Sequence, residues 1–313
     1  MKAAIIEHYG SPGEFKIKDL PTPKIKEGQV LIQNKASSVN PVDTLVRQGK
    51  TMLVTGIIGD QVLGSDFSGI VIESKSNRFA PGDEVFGVNV ALKGGAYAQE
   101  IIADQDHVYF KPSNLTFIEA AVLPLVSLTA WQGLVHDGHI KPGYRVLITG
   151  CTGGVGMVAV QIAKTFDAHV TGTCSKANED FARLLGVDEI VKYDQEQLSD
   201  DQKFELIFDA SGHFTIDDFK THLTEKAMFV STKGGADSFK GMVQAAWDVA
   251  FERRMKIVVM KAHADNLEKI AKLATDGKIK PYIAKTFLLE DLASAHVMME
   301  QESFNGKIAI DIG

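Results

Sequence analysis

Residues 145–156, with the sequence RVLITGCTGGVG, join an apolar strand to a glycine-rich turn. Residues 157–164 follow directly and have the composition of a helix. Gly150, Gly153 and Gly156 are three positions apart, which allows a tight turn and lets backbone N–H groups and the positive end of a helix approach an anion. This segment therefore predicts a pyrophosphate-binding turn between a strand and a helix.

The turn is an imperfect copy of the GxGxxG motif, because Cys151 occupies the first glycine position. A second predicted strand at residues 169–173 completes a βαβ unit, which is the context that a dinucleotide site requires. The alternative is an ordinary tight turn in an α/β domain. The order of strand, turn, helix and strand favours dinucleotide binding.

The end of the second strand indicates which dinucleotide is bound. Proteins that use NAD usually carry Asp or Glu at this place, where the carboxylate accepts hydrogen bonds from the ribose. Here residues 173–176 read TCSK. Ser175 can donate to a 2′-phosphate and Lys176 can oppose its charge, so the predicted coenzyme is NADPH. The alternative is that both residues belong to a solvated loop in an NAD-binding protein.

The composition is that of an ordinary soluble globular protein, with 45% apolar and 23% charged residues. A length of 313 residues suits two domains, and the net charge of −7 argues against nucleic acid and anionic membranes as partners. No apolar run approaches a membrane span, and the start MKAAIIEHYG lacks the apolar core of a signal peptide, so we expect a cytoplasmic protein. Cys151 and Cys174 are the only cysteines; we interpret them as reduced packing residues, with little support for a redox role of Cys174.

Strands and helices alternate from residue 126 to 262, which predicts a doubly wound parallel α/β sheet. Residues 1–125 contain short β-like runs broken by Gly, Pro and Asn, which predicts a β-rich, barrel-like domain. The tail, 263–313, resumes with a helix at 266–275 and ends in a strand-like run, and we assign it to the first domain. The six strands expected in the α/β part are at 145–149, 169–173, 189–192, 204–209, 227–232 and 256–260.

Eight strings, in order, resemble the zinc-independent (zeta-crystallin-like) quinone oxidoreductase family of the medium-chain dehydrogenase/reductase superfamily. The resemblance implies a GroES-like catalytic domain, a Rossmann domain and NADPH-dependent reduction of quinones or of conjugated enones and enals. The strings are VNPVDTLVRQG (39–49), GSDFSGIV (64–71), GDEVFG (82–87), GGAYAQE (94–100), LPLVSLTAWQGL (123–134), GCTGGVGMVAVQIAK (150–164), FDASG (208–212) and NGKIAIDIG (305–313).

The same resemblance implies catalytic roles for three residues. Asn40 is similar to a family residue that faces the nicotinamide, Asp43 belongs to the same segment, and Thr129 resembles a residue near the nicotinamide. Each has a structural alternative: Asn40 precedes a proline and suits a turn, and we favour a buried ion pair between Asp43 and Arg47 that holds this loop.

The resemblance also implies the residues that bind the coenzyme. Those that match the pyrophosphate turn are Gly153, Gly154, Val155 and Gly156, and those that fall where relatives hold the 2′-phosphate are Ser175, Lys176 and Tyr193. Tyr193 suits a half-exposed aromatic residue at a strand end equally well. Leu45 stands where several quinone reductases have a tyrosine, so the substrate preference is not carried over.

The sequence predicts no metal site. Zinc-containing alcohol dehydrogenases of the superfamily use a Cys and the His of a GHE motif, and this chain has Asn40 and Gly64-Ser65-Asp66 in those places. Without a Lewis acid, an acceptor such as a quinone or enone, which delocalises the incoming charge itself, is favoured over an unactivated ketone.

The alternative functions are an alkenal reductase that lacks quinone activity, a non-catalytic nucleotide-binding protein and a zinc alcohol dehydrogenase. We also expect a homodimer that pairs through the apolar run 257–260.

Overall fold

The computed structural model describes residues 1–51, 60–90, 94–233 and 252–313. The chain divides into two units. The first consists of Met1–Leu125, Lys261–Gly277 and Pro281–Gly313, and the second of Val126–Met260 and Lys278–Lys280. The sequence boundaries placed 261–262 in the second domain and 278–280 in the first, so the observed units differ from them at these two short segments.

The second unit is built on a parallel sheet of six strands, and among the described residues two α-helices lie between the strands, α4 (Gly154–Thr165) and α5 (Glu179–Leu184). The strands are β9 (Arg145–Thr149), β10 (His169–Cys174), β11 (Glu189–Lys192), β12 (Phe204–Asp209), β13 (Leu223–Ser231) and β14 (Met255–Ile257). Their order in the sheet, β11-β10-β9-β12-β13-β14, is that of a doubly wound dinucleotide-binding sheet, so this part of the predicted fold is confirmed.

The strands β9, β11 and β12 have the bounds expected from the sequence, because each contains consecutive apolar residues, at 146–148, 190–191 and 206–208. Strand β13 begins four residues earlier than expected, at Leu223, and β14 ends three residues earlier, at Ile257. Helix α4 begins at Gly154, before the apolar residues that indicated it. Its apolar side chains are buried from Met157 to Ala163, as expected for a helix that covers a sheet.

The first unit contains a seven-stranded sheet and a three-stranded sheet. The strands are β1 (Lys2–Ile6), β2 (Lys16–Asp19), β3 (Gln29–Val39), β4 (Gln61–Val62), β5 (Asp66–Ser74), β6 (Glu84–Val88), β7 (Glu100–Asp104), β8 (Val108–Phe110), β15 (Ile283–Leu288) and β16 (Lys307–Asp311). The larger sheet has the path β15-β16-β3-β5-β6-β8, with β7 also paired to β3, and the smaller has the order β2-β1-β4.

Strand β16, near the carboxyl end of the chain, lies between β15 and β3, and its Ile308 is opposite Val39. This pairing assigns the last strand to the first unit. The helices of the unit are α1 (Pro41–Arg47), α2 (Phe117–Ala121), α6 (Ala264–Thr275) and α7 (Leu292–Gln301), and helix α3 (Pro124–Trp131) continues from it into the second unit. Strand β15 and helix α7 were not predicted from the sequence, although the buried residues Leu292, Ala295 and Met298 of α7 lie at helical spacing. No helix within the described residues has the length and apolar character needed to cross a membrane.

Candidate active site

The glycine turn joins β9 to α4 as the sequence predicted. Gly150 has a φ of +58°, a conformation that side chains disfavour, and Gly153 caps the helix in an extended conformation. A Cβ atom on Gly156 would lie 2.1 Å from the carbonyl oxygen of Gly150, so only glycine allows this close approach. Gly154 and Val155 are partly exposed in the first helical turn, where N–H groups lack acceptors within the helix and are available to bind an anion.

A cavity of about 750 Å³ lies at the carboxyl ends of the parallel strands, beside the turn. Such a crevice is where doubly wound sheets bind nucleotides. Residues from the ends of four neighbouring strands line it, including Thr149, Gly150, Thr173, Tyr193, Ser211 and Phe214. Tyr193 is 64% exposed, so its ring is available to a ligand.

Asp209, at the end of β12, organises this rim and was not singled out from the sequence. Its buried carboxylate accepts hydrogen bonds from the hydroxyls of Thr149 (2.6 Å) and Ser211 (2.7 Å), and from that of Ser231 (2.7 Å). The backbone N–H groups of Gly212 and Phe214 donate to it as well. The signal in the sequence was the FDASG string, in which an acidic residue ends an apolar strand.

Ser175 and Lys176 follow the end of β10, with Ser175 capping a short 3₁₀ helix, Lys176–Asn178. The Lys176 ammonium forms an ion pair with Glu179 at 2.5 Å, and the backbone N–H of Lys176 donates to the Asp194 carboxylate at 3.0 and 3.2 Å. Hydrogen bonds from Lys176 and Arg183 lower the pKa of Glu179 to about 2. Two carboxylates therefore offset part of the positive charge on which the NADPH prediction depends.

In the first unit, Asn40 lies at the centre of a buried polar cluster. Its Nδ2 donates to the Asp66 carboxylate at 2.9 Å, and its Oδ1 accepts a hydrogen bond from the Lys307 ammonium. Lys307 also donates to the carbonyl oxygen of Val39 and lies 4.0 Å from Asp66. Asn40 is fully buried and both ends of its amide have partners, so the amide orientation is set by a cation on one side and an anion on the other.

Asp43 is the second carboxylate of the cluster. It accepts hydrogen bonds from Ser65 Oγ at 2.9 Å, from the backbone N–H of Asn40 at 2.9 Å and from the Tyr97 hydroxyl at 3.3 Å. Burial raises the pKa of Asp43 to about 6, because the free-energy cost of removing the carboxylate from water exceeds the stabilisation that these hydrogen bonds give it. Burial also raises the pKa of Asp66.

The predicted ion pair between Asp43 and Arg47 is wrong. The guanidinium of Arg47 instead binds Glu300 and the carbonyl oxygen of Gly10, and its Nε donates to Nδ1 of His296 at 3.4 Å. Asp43 faces the start of helix α1, where it caps the backbone, whereas Arg47 at the other end of the same helix meets α7. Burial and the neighbouring Arg47 lower the pKa of His296 to about 3, so this histidine is neutral.

Thr129 lies in helix α3 within the second unit and is 7% exposed. The three predicted catalytic residues therefore fall in different units: Asn40 and Asp43 share one hydrogen-bonded cluster, and Thr129 belongs to the other unit. Three further residues were not singled out from the sequence: Lys307 and Tyr97, which contact Asn40 and Asp43, and His296, which contacts the Tyr97 hydroxyl. Among the described residues, no three His, Cys, Asp or Glu side chains are arranged to hold a metal ion.

The parallel sheet, its glycine turn and the adjoining cavity define a dinucleotide-dependent enzyme, and comparison with known proteins identifies the family. Residues 26–113 match the alcohol dehydrogenase GroES-like domain, and residues 185–310 match the zinc-binding dehydrogenase domain. The human mitochondrial NAD(P)H oxidoreductase RTN4IP1 is 31% identical over 353 residues, which cover 100% of this chain and 89% of the relative.

Two further comparisons agree. The chloroplastic NADPH-dependent alkenal/one oxidoreductase of Arabidopsis thaliana is 30% identical over 325 residues, covering 99% of this chain and 79% of that protein. The solved structure of the quinone oxidoreductase from Coxiella burnetii superposes with a TM-score of 0.86 at 30% identity and covers 100% of this chain and 99% of its own. The chain belongs to the quinone oxidoreductase family of the medium-chain dehydrogenase/reductase superfamily. It is an oxidoreductase that uses a nicotinamide coenzyme.

Proposed function

We propose that this enzyme uses NADPH to reduce quinones or conjugated enones and enals. The observation that carries the proposal is the glycine turn that opens onto the cavity at the strand ends, with no carboxylate in the TCSK segment beside it. The relatives are named as a quinone oxidoreductase and an NADPH-dependent alkenal/one oxidoreductase, which supports the same two classes of acceptor. When bound, NADPH supplies a hydride.

The choice of NADPH rests on Ser175 and Lys176. Residue 173, which lines the cavity, is two positions before Ser175, so a nucleotide in the cavity places its ribose near this segment. The Ser175 hydroxyl is a donor for a 2′-phosphate, and the 55% exposed Lys176 side chain can turn from Glu179 toward a doubly charged group. Glu179 still interacts with Arg183 after such a movement, so its charge stays compensated.

The proposed reaction proceeds without zinc, because the side chains at the relevant positions do not fit that ion. Zinc ligands are thiolate, imidazole or carboxylate groups with a free electron pair. Here the Asn40 amide is bonded to Lys307 and Asp66, the Ser65 hydroxyl donates to Asp43, and the Lys307 ammonium would repel a divalent cation. A conjugated acceptor, which spreads the hydride's charge over its own π-system, suits a site of this kind.

Within this proposal, Asn40 and Asp43 act as positioning residues. The backbone N–H of Asn40 is held by Asp43, and its side chain is held by Lys307, so the loop that begins helix α1 is fixed from both sides. The proposed position of Thr129 near the nicotinamide is supported by the family resemblance alone. Protonation of the reduced acceptor is assigned to solvent.

We also propose a homodimer. Strand β14 is the edge of the six-stranded sheet in the described part of the chain, and the nearby Val259 is 66% exposed. An open edge strand with an exposed apolar neighbour favours pairing with a second copy. Sedimentation at micromolar protein should show dimers, and monomers alone would refute this assignment.

The function is tested by NADPH and NADH oxidation with a panel of quinones, 2-alkenals and unactivated ketones. We expect activity with NADPH on at least one conjugated class and none on the ketones. Lys176→Ala should raise the KM for NADPH about tenfold and leave that for NADH unchanged, whereas Lys226→Ala, at an exposed site on β13, should change neither. Activity on enals alone would select the alkenal reductase, and activity on neither class would overturn the proposal.

A further inference from the structure

One buried carboxylate fixes the hydroxyl protons at the ends of three neighbouring strands. Asp209 is fully buried, and the hydroxyl oxygens of Thr149, Ser211 and Ser231 lie 2.6, 2.7 and 2.7 Å from its carboxylate oxygens. An ionised carboxylate only accepts hydrogen bonds, so at these separations each hydroxyl must point its proton at Asp209. On its other side, each of the three hydroxyls has lone pairs alone.

Of these three residues, Ser211 is the one that a ligand can reach. Thr149 and Ser231 are fully buried, whereas Ser211 is partly exposed and lines the 750 Å³ cavity. Both of its polar protons are already used: the backbone N–H is directed at Thr149 Oγ1 at 3.4 Å, and the hydroxyl proton at Asp209. Ser211 therefore offers a ligand in the cavity only hydrogen-bond acceptors.

The same carboxylate also positions an aromatic ring close to Ser211. The backbone N–H of Phe214 donates to Asp209 at 3.1 Å, and Phe214 lines the cavity with its side chain 36% exposed. The ring of Phe219 packs edge-on against that of Phe214, with the ring centroids 5.2 Å apart. An aromatic face beside a hydrogen-bond acceptor suits a heterocyclic base and its sugar.

The two sides of the cavity differ in hydrogen-bond character. Strands β10 and β12 lie on opposite sides of β9; the β10 side leads to Ser175 and Lys176, which can donate to a phosphate, and the β12 side leads to Ser211. The described residues that line the cavity include no lysine or arginine, whereas three of them are acidic: Glu196, Asp200 and Asp218. A phosphate is therefore disfavoured at Ser211, because its negative oxygens would face acceptors and carboxylates.

We propose that Ser211, oriented by Asp209, accepts a hydrogen bond from the adenosine part of the coenzyme. The donor is the 6-amino group of adenine or the 3′-hydroxyl of its ribose. This inference rests on the proposed function in that it places the adenosine in this cavity. Because NADH and NADPH share both donors, Ser211 contributes to the affinity for either coenzyme and does not choose between them. Asp209 acts as a positioning residue for this contact.

The experiment measures by calorimetry the dissociation constants of NADPH, NADH and deamino-NADPH, in which a carbonyl oxygen replaces the 6-amino group of adenine. Ser211→Ala should raise the constants for NADPH and NADH alike, by about fivefold, which is the usual effect of losing one neutral hydrogen bond. Ser199→Ala, at an exposed site away from the cavity lining, should leave both within about twofold. Asp209 keeps four of its five donors in Ser211→Ala, so we expect this variant to fold, and thermal unfolding checks it.

Deamino-NADPH distinguishes the two donors, and either result supports the proposal. If the adenine amine is the donor, Ser211→Ala should not weaken the binding of deamino-NADPH; if the ribose hydroxyl is the donor, it should weaken that binding as much as that of NADPH.

Unchanged NADPH and NADH affinities in Ser211→Ala, or tighter binding of NADPH, would overturn the proposal. A loss confined to NADH would also overturn it, because the donor would then be the 2′-hydroxyl that NADPH lacks. A wild-type enzyme that binds NADH but not NADPH would instead contradict the proposed function, while the effect of Ser211→Ala on NADH binding would still decide this inference.

Discussion

Lys307, on the last strand of the chain, donates a hydrogen bond to Oδ1 of Asn40, which precedes helix α1 and is 267 positions away in the sequence. The ammonium is fully buried, and this burial lowers its pKa. Asp66 lies on its other side, and together the three groups form a cation, amide and carboxylate cluster. Buried charges of this kind are costly when one partner is removed.

Lys307→Met should therefore lower the free energy of unfolding by about 3 kcal/mol, because the buried Asp66 loses the neighbouring cation and Asn40 Oδ1 loses its donor. Urea denaturation measures this change. Lys24→Met, at an exposed position of the same unit, should alter the stability by less than about 0.5 kcal/mol. Equal stabilities of the two variants would show that the cluster tolerates an unbalanced carboxylate.

The raised pKa of Asp43 predicts that the free energy of unfolding depends on pH. Its pKa is about 6 in the folded state against an ordinary value of 3.8, so the folded protein holds the proton more tightly than the unfolded chain. The contribution of Asp43 to stability therefore falls as the pH rises from about 4 to about 6, by about 3 kcal/mol in total. Asp43→Asn does not ionise, so its stability relative to wild type should increase by this amount over that range.

Unfolding in urea at several pH values tests the prediction. His296 has the opposite slope, since its lowered pKa removes stability as the pH falls below 6.5, but it is present in both proteins and cancels in the difference. Asp19→Asn, at an exposed site, should show the same pH profile as wild type. A stability difference between Asp43→Asn and wild type that stays constant from pH 4 to 7 would mean that Asp43 ionises normally.

Glu179 is expected to restrain the preference for NADPH. Its carboxylate holds the Lys176 ammonium at 2.5 Å, so Glu179→Gln should free this cation for a 2′-phosphate. Because exposed ion pairs are weak, we expect the ratio of kcat/KM for NADPH over NADH to rise only about threefold. Asp180→Asn removes the same charge from the same helix without a direct contact to Lys176 and should change the ratio less. A ratio that falls in Glu179→Gln would show that Glu179 positions Lys176 productively.

Two glycines of the turn should respond differently to alanine. A Cβ on Gly156 would meet the Gly150 carbonyl oxygen at 2.1 Å, whereas one on Gly153 would lie 3.4 Å from the same atom at an ordinary φ of −77°. Gly156→Ala should therefore destabilise the protein by about 3 kcal/mol, and Gly153→Ala by less than about 1 kcal/mol. Thermal unfolding without coenzyme compares them, and similar melting temperatures would contradict the close approach.

The parallel sheet and its coenzyme turn could be predicted because their signals are local. Strand β9, the glycines and helix α4 are consecutive, and an apolar run, a turn and a helical run each have their own pattern. The segment 175–176 was recognised in the same way, by its distance from the turn. The restraint of Lys176 by Glu179 was missed, although the two residues are only three positions apart, because charge pairs on an exposed helix are common and rarely informative.

The buried cluster could not be derived, because its members come from distant parts of the chain. Tyr97 and His296 are 199 positions apart, and Arg47 and Glu300 are 253 apart. The sequence analysis favoured an ion pair between Asp43 and Arg47, which lie four positions apart. In the folded protein Asp43 is used to cap the start of that helix, and the sequence contains no signal that ranks this use above the ion pair.

The position of β16 between β15 and β3 also has a consequence for how the protein is made. A ribosome releases residues 126–260 long before Lys307 emerges, so the six parallel strands can associate while the amino-terminal strands still lack their neighbour. Until then the carboxyl-terminal part of β3, residues 36–39, lacks the strand with which it pairs in the folded protein, while residues 29–33 can already pair with β7. The second unit can therefore fold during synthesis before the first unit has all of its strands.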